Sequence, residues 1–251
     1  MLKTTKLVMG FAVLLMALAL VANSSVIAKT SYKASTRSLA KGSELVSEQF
    51  DGNTIACWME NNGLIVSHHV TGGSGLEWPK GTNKTIDYAS GLWMFGKNSD
   101  GGILSASSEY STEFAPGPIL SNGQPANPDD PMYRIYKINS DGTGDWDVWP
   151  YDQGAPWELD GNGNRVPKII GDQTMFWVMN DAELANHGNF MSTNPMGVEQ
   201  QVTVFGYNVS NPLGNIMFIQ WKTINKSSVD YDSVFVAVWA VSYTHLRAHE
   251  T

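Results

Sequence analysis

Cysteine is almost absent from this chain: Cys57 is the only one in 251 residues. A single thiol excludes an internal disulfide framework and any cysteine-cluster metal site. Basic residues are also scarce, with 16 Lys and Arg against 24 Asp and Glu, a formal net charge of −8. A basic nucleic-acid footprint is therefore missing, and so is a polybasic stripe for an anionic membrane. Familiar catalytic signatures are missing too. There is no G-x-S-x-G elbow, no H-E-x-x-H, no P-loop and no G-x-G-x-x-G after a strand-like run. No internal repeat stands out. What the chain does have is 24 Gly, 11 Pro and nine Trp, set among short apolar runs. That texture disfavours a helical bundle and suits β structure.

The two ends read differently from the middle. Lys3 and Lys6 precede a 16-residue apolar run, Leu7 to Ala22. Val26 and Ala28 then stand at −3 and −1 of a cleavage site before Lys29, so residues 1–28 read as a signal peptide. The run is shorter than the roughly 20 residues of a spanning helix, which disfavours an uncleaved anchor. The chain is thereby expected to be secreted or held at the cell surface, with no membrane span after cleavage. Residues 29–49 are polar and read as a mobile leader. At the other end, Val241 to Thr251 (VSYTHLRAHET) resembles a translated sequencing adaptor. On that resemblance His245 and His249 are not ligands, and the native reading frame continues beyond Ala240.

Between these ends, residues 50–240 read as one β-rich domain. Asn61-Asn62-Gly63 separates two apolar runs and predicts a hairpin, because Asn and Gly both accept positive φ. A second hairpin is expected where residues 98–102 separate Gly91–Lys97 from Ile103–Tyr110. Five prolines in Ala115 to Pro131 exclude a strand or helix there. Met132 to Asn139 alternates as a strand does, and Asp141 to Pro167 reads as an acidic, Trp-bearing loop. Gln173–Asn180, Val198–Tyr207, Asn215–Ile224 and Ser233–Ala240 are further strands. The last is apolar on both faces, which predicts a central position. A short helix is expected near Asp181–Asn186. The fold class is all-β: an antiparallel, sandwich-like domain with long irregular loops.

Several phrases taken together carry a resemblance. They are SGLEWPKG (Ser74–Gly81), ASGLWMFGK (Ala89–Lys97), EYSTEFAPGPI (Glu109–Ile119), DWDVWPYDQGAPW (Asp145–Trp157), GDQTMFWVMND (Gly171–Asp181) and LGNIMFIQWKTINKS (Leu213–Ser227). As a set they resemble the N-terminal region of large secreted bacterial proteins of the type IX secretion kind, which end in a C-terminal sorting domain. The resemblance implies a β-rich fold, export and surface attachment, with activity largely undefined.

Candidate sites are few. Asp160, Asn162 and Asn164 alternate as calcium ligands do, and Asp172 or Glu158 would complete a site of hard oxygens. The EF-hand pattern itself fails, with Arg165 at its sixth position and Gly171 at its twelfth. The competing reading is a plain Gly/Asn turn. Trp146, Trp149 and Trp157 lie among acids, an arrangement suited to extracellular polysaccharide; alternatively they are plugs that tie the loop to the sheet. His68 and His69 point to opposite faces of a strand and cannot form a metal pair. His187 reads as isolated in a loop. Glu109 and Glu113 form a formal carboxylate pair but read as surface or hydrogen-bonded structure. Cys57 reads as a small buried apolar residue. The leading function is a non-catalytic, structural or adhesive module of a larger secreted or cell-surface protein. A glycan-binding module is the alternative, and the N-terminal part of a secreted hydrolase is third.

Overall fold

A computed structural model describes residues 47–68, 73–109, 111–188 and 191–242. The segment read as a signal peptide, most of the one read as a leader, residues 243–251 and His69 lie outside the described residues. Among the described residues fifteen strands follow one another, beginning with β1 (Ser47–Phe50), β2 (Ala56–Glu60), β3 (Ser67–His68), β4 (Gly73–Ser74) and β5 (Leu76–Glu77). Next come β6 (Thr85–Asn98), β7 (Ile103–Ser107), β8 (Ala115–Pro116), β9 (Tyr136–Asn139), β10 (Trp157–Leu159) and β11 (Arg165–Pro167). The longer strands β12 (Gln173–Asn180), β13 (Val198–Gly206), β14 (Met217–Asn225) and β15 (Tyr231–Ser242) complete the series.

Two antiparallel sheets face each other. The first runs β1-β2-β5-β6-β15, with β7 also paired to β6; the second runs β14-β13-β12-β8, with β9 also paired to β12. Period-2 alternation turns one set of side chains from each sheet inward. Phe50, Cys57, Met59, Leu92, Met94 and Ala106 come from the first sheet. Met175, Trp177, Met179, Val198, Val202 and Val204 come from the second, and together they form the main core. The expected all-β sandwich is therefore the observed architecture.

β12 explains where the third layer lies. All eight of its residues are buried. Met175, Trp177 and Met179 enter the main core, while Phe176 and Val178 point the other way. There they meet Tyr136, Ile138, Trp149 and Ala155. The segment read as an acidic loop is thus a cover over the outer face of the second sheet. It is also more ordered than expected: it holds two short 3₁₀ turns, Trp146–Val148 and Tyr151–Gln153, and the β10–β11 hairpin. Arg134 fastens it with a bidentate ion pair to Asp145 at 2.7 and 3.0 Å.

The hairpin between β6 and β7 stands as expected, closed by Asn98 N–H to Gly102 O at 2.9 Å. The Asn61-Asn62-Gly63 turn also forms, with Gly63 at φ +90. A Cβ there would stand 2.5 Å from Ser108 Oγ and 2.6 Å from Met179 Sδ, so glycine is required on two counts. The run after it does not continue as one strand. Ile65 bridges Met59 and Ser90, and then Val66 turns to φ +73.

Four expectations need correction. β15 is an edge strand: β6 is its only neighbour among the described residues, and both faces are open, with Phe235 69% and Val236 60% exposed. Apolar character on both faces had suggested burial, but pairing rather than composition decides position. The proline-rich stretch does contribute a strand, β8, because two residues at a sheet edge tolerate Pro116. β1 starts at Ser47, so the last residues of the polar leader belong to the sheet. The short helix is a 3₁₀ turn at Leu184–Gly188.

Candidate functional site

The calcium constellation separates on folding. Asp160 N–H donates to Asn164 O at 2.9 Å and closes the β10–β11 hairpin. Asp160 Oδ1 accepts the main-chain N–H groups of Asn162 and Asn164, both at 2.8 Å, and Oδ2 accepts Asn164 Nδ2 at 3.1 Å. These amides hold its carboxyl below the usual carboxylate range. Glu158 is exposed on β10. Asp172 is engaged elsewhere, by Ser140 Oγ at 3.2 Å and Asn208 N–H at 2.7 Å. The pentad is an Asx-type turn, and Asp172 does not join it. Among the described residues no group of three or more His, Cys, Asp or Glu is arranged to hold a metal.

The three tryptophans also separate. Trp149 is 3% exposed and donates its indole N–H to Pro156 O at 2.8 Å. Its ring tilts on Phe176 at 6.3 Å, so it is a plug and offers no outer surface. Trp146 packs against the same cluster and donates to Thr143 O at 3.1 Å. Only Trp157 is open, at 45% exposure. Arg165 lies 4.5 Å from its ring centroid and 5.8 Å from that of Tyr151. This exposed ring with one cation on it is what remains of the expected glycan surface.

Asp172 instead helps line a polar basin of about 430 Å³, with Asp51, Lys137, Asn139, Asp141 and Gln173. Gln173 organises it. Its Nε2 donates to Asp51 Oδ1 at 2.7 Å and Asn139 Oδ1 at 2.8 Å, and its Oε1 accepts Asp51 N–H at 2.8 Å. Lys137 Nζ reaches Glu48 Oε1 at 2.7 Å and Gln49 O at 3.0 Å. The basin is acidic, but its groups mostly satisfy one another. Its members come from β9 and the turn after it, from the start of β12 with Asp172 just before it, and from the segment after β1, so no sequence spacing announced it.

Buried acids are the other finding that spacing did not announce. Glu113 and His187 are both inside, 0% and 1% exposed, with Asp181 beside them at 0%. Burial pushes the Asp181 carboxyl up to about 6, against the N–H bonds from Val198 and Met196 that favour its charge. Glu60, 3% exposed, is pushed up to about 7 by burial, with Asn62 Nδ2 its one opposing partner at 3.3 Å. Cys57 is buried as expected, its thiol pushed up to about 12 by burial. A thiol held so far from thiolate is inert packing.

Comparison with protein-family models, with curated proteins and with solved structures gives no match. Among the described residues no helix is long and apolar enough to cross a membrane.

Proposed function

We propose that this chain is a non-catalytic module of a larger exported bacterial protein, structural or adhesive in role. The observation that carries this reading is β15. It offers an unpaired ladder edge with Val234, Val236 and Val238 on one face and Phe235 on the other, all 48% exposed or more. Ser233 to Ser242 contains no charge, proline or glycine. Proteins that end a sheet on such a strand normally blunt it with Lys, Pro or a bulge. Between the register shifts near its two ends, the Ser233–Val241 stretch carries none of these, and it suits a neighbouring strand supplied by the rest of a larger assembly. The charged start and apolar run of residues 1–28, and the resemblance to proteins of the type IX secretion kind, support the exported setting.

Cell fractionation with N-terminal sequencing tests the reading. The chain is expected outside the cytoplasm, starting at Lys29. A cytoplasmic product that keeps Met1 would sink it.

A second reading, glycan binding, is favoured by Trp157 alone. An exposed indole with Arg165 beside it covers a sugar's C–H face and donates to its hydroxyls. Trp157→Ala is then expected to abolish retention on polysaccharide without lowering the Tm, since the ring lies outside both cores.

A further inference from the structure

Val236 of β15 pairs with Met94 of β6, and Val238 with Leu92. Alternation therefore puts these valines on the same side of the sheet as Met94 and Leu92, which are 1% exposed and belong to the main core. Val236 and Val238 are nevertheless 60% and 55% exposed. The core side of the first sheet thus runs out into solvent at β15. On its outer side Phe235 is 69% exposed. Other sheet edges are blunted. β1, at the far end of the same sheet, carries Glu48, tied to Lys137 at 2.7 Å. β14, an edge of the second sheet, carries Lys222 and has Gln220, Thr223 and Asn225 exposed. Charged and polar side chains discourage pairing there. From Ser233 to Val241, β15 has no charge, so what docks on it must be a neutral, apolar strand.

β15 itself is such a strand, and its side-chain types nearly repeat in both directions from Ala237. Val236 and Val238 flank it, then Phe235 and Trp239, then Val234 and Ala240. Two copies laid antiparallel about Ala237 pair Val236 with Val238 on the core side and Phe235 with Trp239 on the outer side, each pair occurring twice. Aromatic and β-branched cross-strand pairs are stabilising ones. A self-matching patch is what a two-fold interface requires. Moving the axis to Val236 loses the match, because Phe235 then meets Ala237 and Trp239 meets Ser233. Charge favours the same arrangement. Antiparallel strands set Asp232 opposite the uncharged Ser242 end of the other copy, whereas parallel strands in register would set Asp232 beside Asp232. Covering Val234, Phe235, Val236 and Val238 on both copies, with the main chain between them, buries on the order of 1,000 Å², about what a specific interface needs.

We propose that a second copy of this chain closes the open edge: two β15 strands pair antiparallel about Ala237 and join the two first sheets into one. This rests on the reading of β15 as the adhesive element and names its partner. Each β15 is used up by the other, and β1 is blunted, so the pairing closes at two copies and does not propagate. Val236 and Val238 of both copies then carry the core side of the sheet across the junction.

Single cysteines in the full chain test the register, and Cys57 does not compete because it is buried. Ala237 is exposed, and across the two-fold axis its Cα atoms would stand about 4.5–5.5 Å apart, within disulfide reach. Ser233, four residues from the axis, would lie roughly 27 Å from its own counterpart. Under mild oxidation Ala237→Cys is expected to form linked dimers at least about tenfold faster than Ser233→Cys. The wild type should have the mass of a dimer in the micromolar range. Equal linking rates mean another register or another surface and overturn the proposal. A monomeric wild type also overturns it, whatever other strand then covers the edge, while export, read separately by fractionation, would stand. A cytoplasmic product would sink the exported reading and leave the linking rates unchanged. If the cysteine variants do not fold, hydrogen exchange of the wild type decides. Protection of amides 234–240 is expected to rise about tenfold or more from dilute to concentrated protein, and a profile independent of concentration overturns the proposal.

Discussion

Glu60 sits at the end of β2 with its carboxyl almost wholly out of water, and only one side-chain amide answers it. Burial raises its proton affinity, so the folded state prefers the acid form. The penalty is absent below the ordinary value of 4.5 and complete above about 7. A rise of that size costs about 3 kcal/mol. Glu60→Gln keeps the shape and removes the charge. At pH 8 we expect it to raise stability by about 2 kcal/mol, or roughly 4–8 °C in Tm for a domain of this size. At pH 4 the two proteins should melt together. Equal melts at both pH values would mean that water reaches the carboxylate. Asp145 shows the opposite sign. Burial alone would raise it, but the Arg134 guanidinium and the Lys137 N–H hold it below the usual range. Its contribution is present at neutral pH and fades as pH falls through the carboxylate range.

At the scale of elements, the β10–β11 hairpin and β15 each invite a direct test. Both Asp160 oxygens are taken by amides of their own turn, so the hairpin should be closed without a cation. The Tm is expected to be indifferent to millimolar calcium, and Asp160→Ala should lower it only slightly. A calcium-dependent rise that Asp160→Ala abolishes would restore the cation reading. For β15, residues 47–242 are expected to self-associate through the open edge. Val236→Lys with Val238→Lys, at positions 60% and 55% exposed, should give monomers with Tm changed by little. Monomeric wild type at the same concentration would show that the edge is not adhesive.

Across the whole molecule, period-2 runs and turn chemistry carried most of the fold. The β6–β7 hairpin, the Asn-Gly turn, β12, β13 and β14 could all be read from residues alone, because each signal is local. The position of β15 could not, since an apolar strand reads the same whether its neighbour is present or not. The cover over β12 was hidden for a related reason: prolines and acids mark irregular backbone but do not say whether it is packed. Site reading was weaker. Asp160 and Asp172 lie only 12 positions apart in sequence yet serve different structures, and Glu113 and His187, 74 positions apart, meet only through tertiary packing.

The cover has a consequence for how the chain meets a protease. Its connection from β9 to β12 carries Arg165 and Lys168, both cleavage points for trypsin-like enzymes. A protease must draw its substrate into an extended, unpaired stretch, and here Arg165 is already paired with Leu159, and the Lys168 N–H with Pro156 O. Trp149 and Ala155 hold the same segment against Phe176 and Val178. Nicking therefore has to wait for the cover to lift off the sheet. The connection that looks most vulnerable on paper should be among the last to be cut.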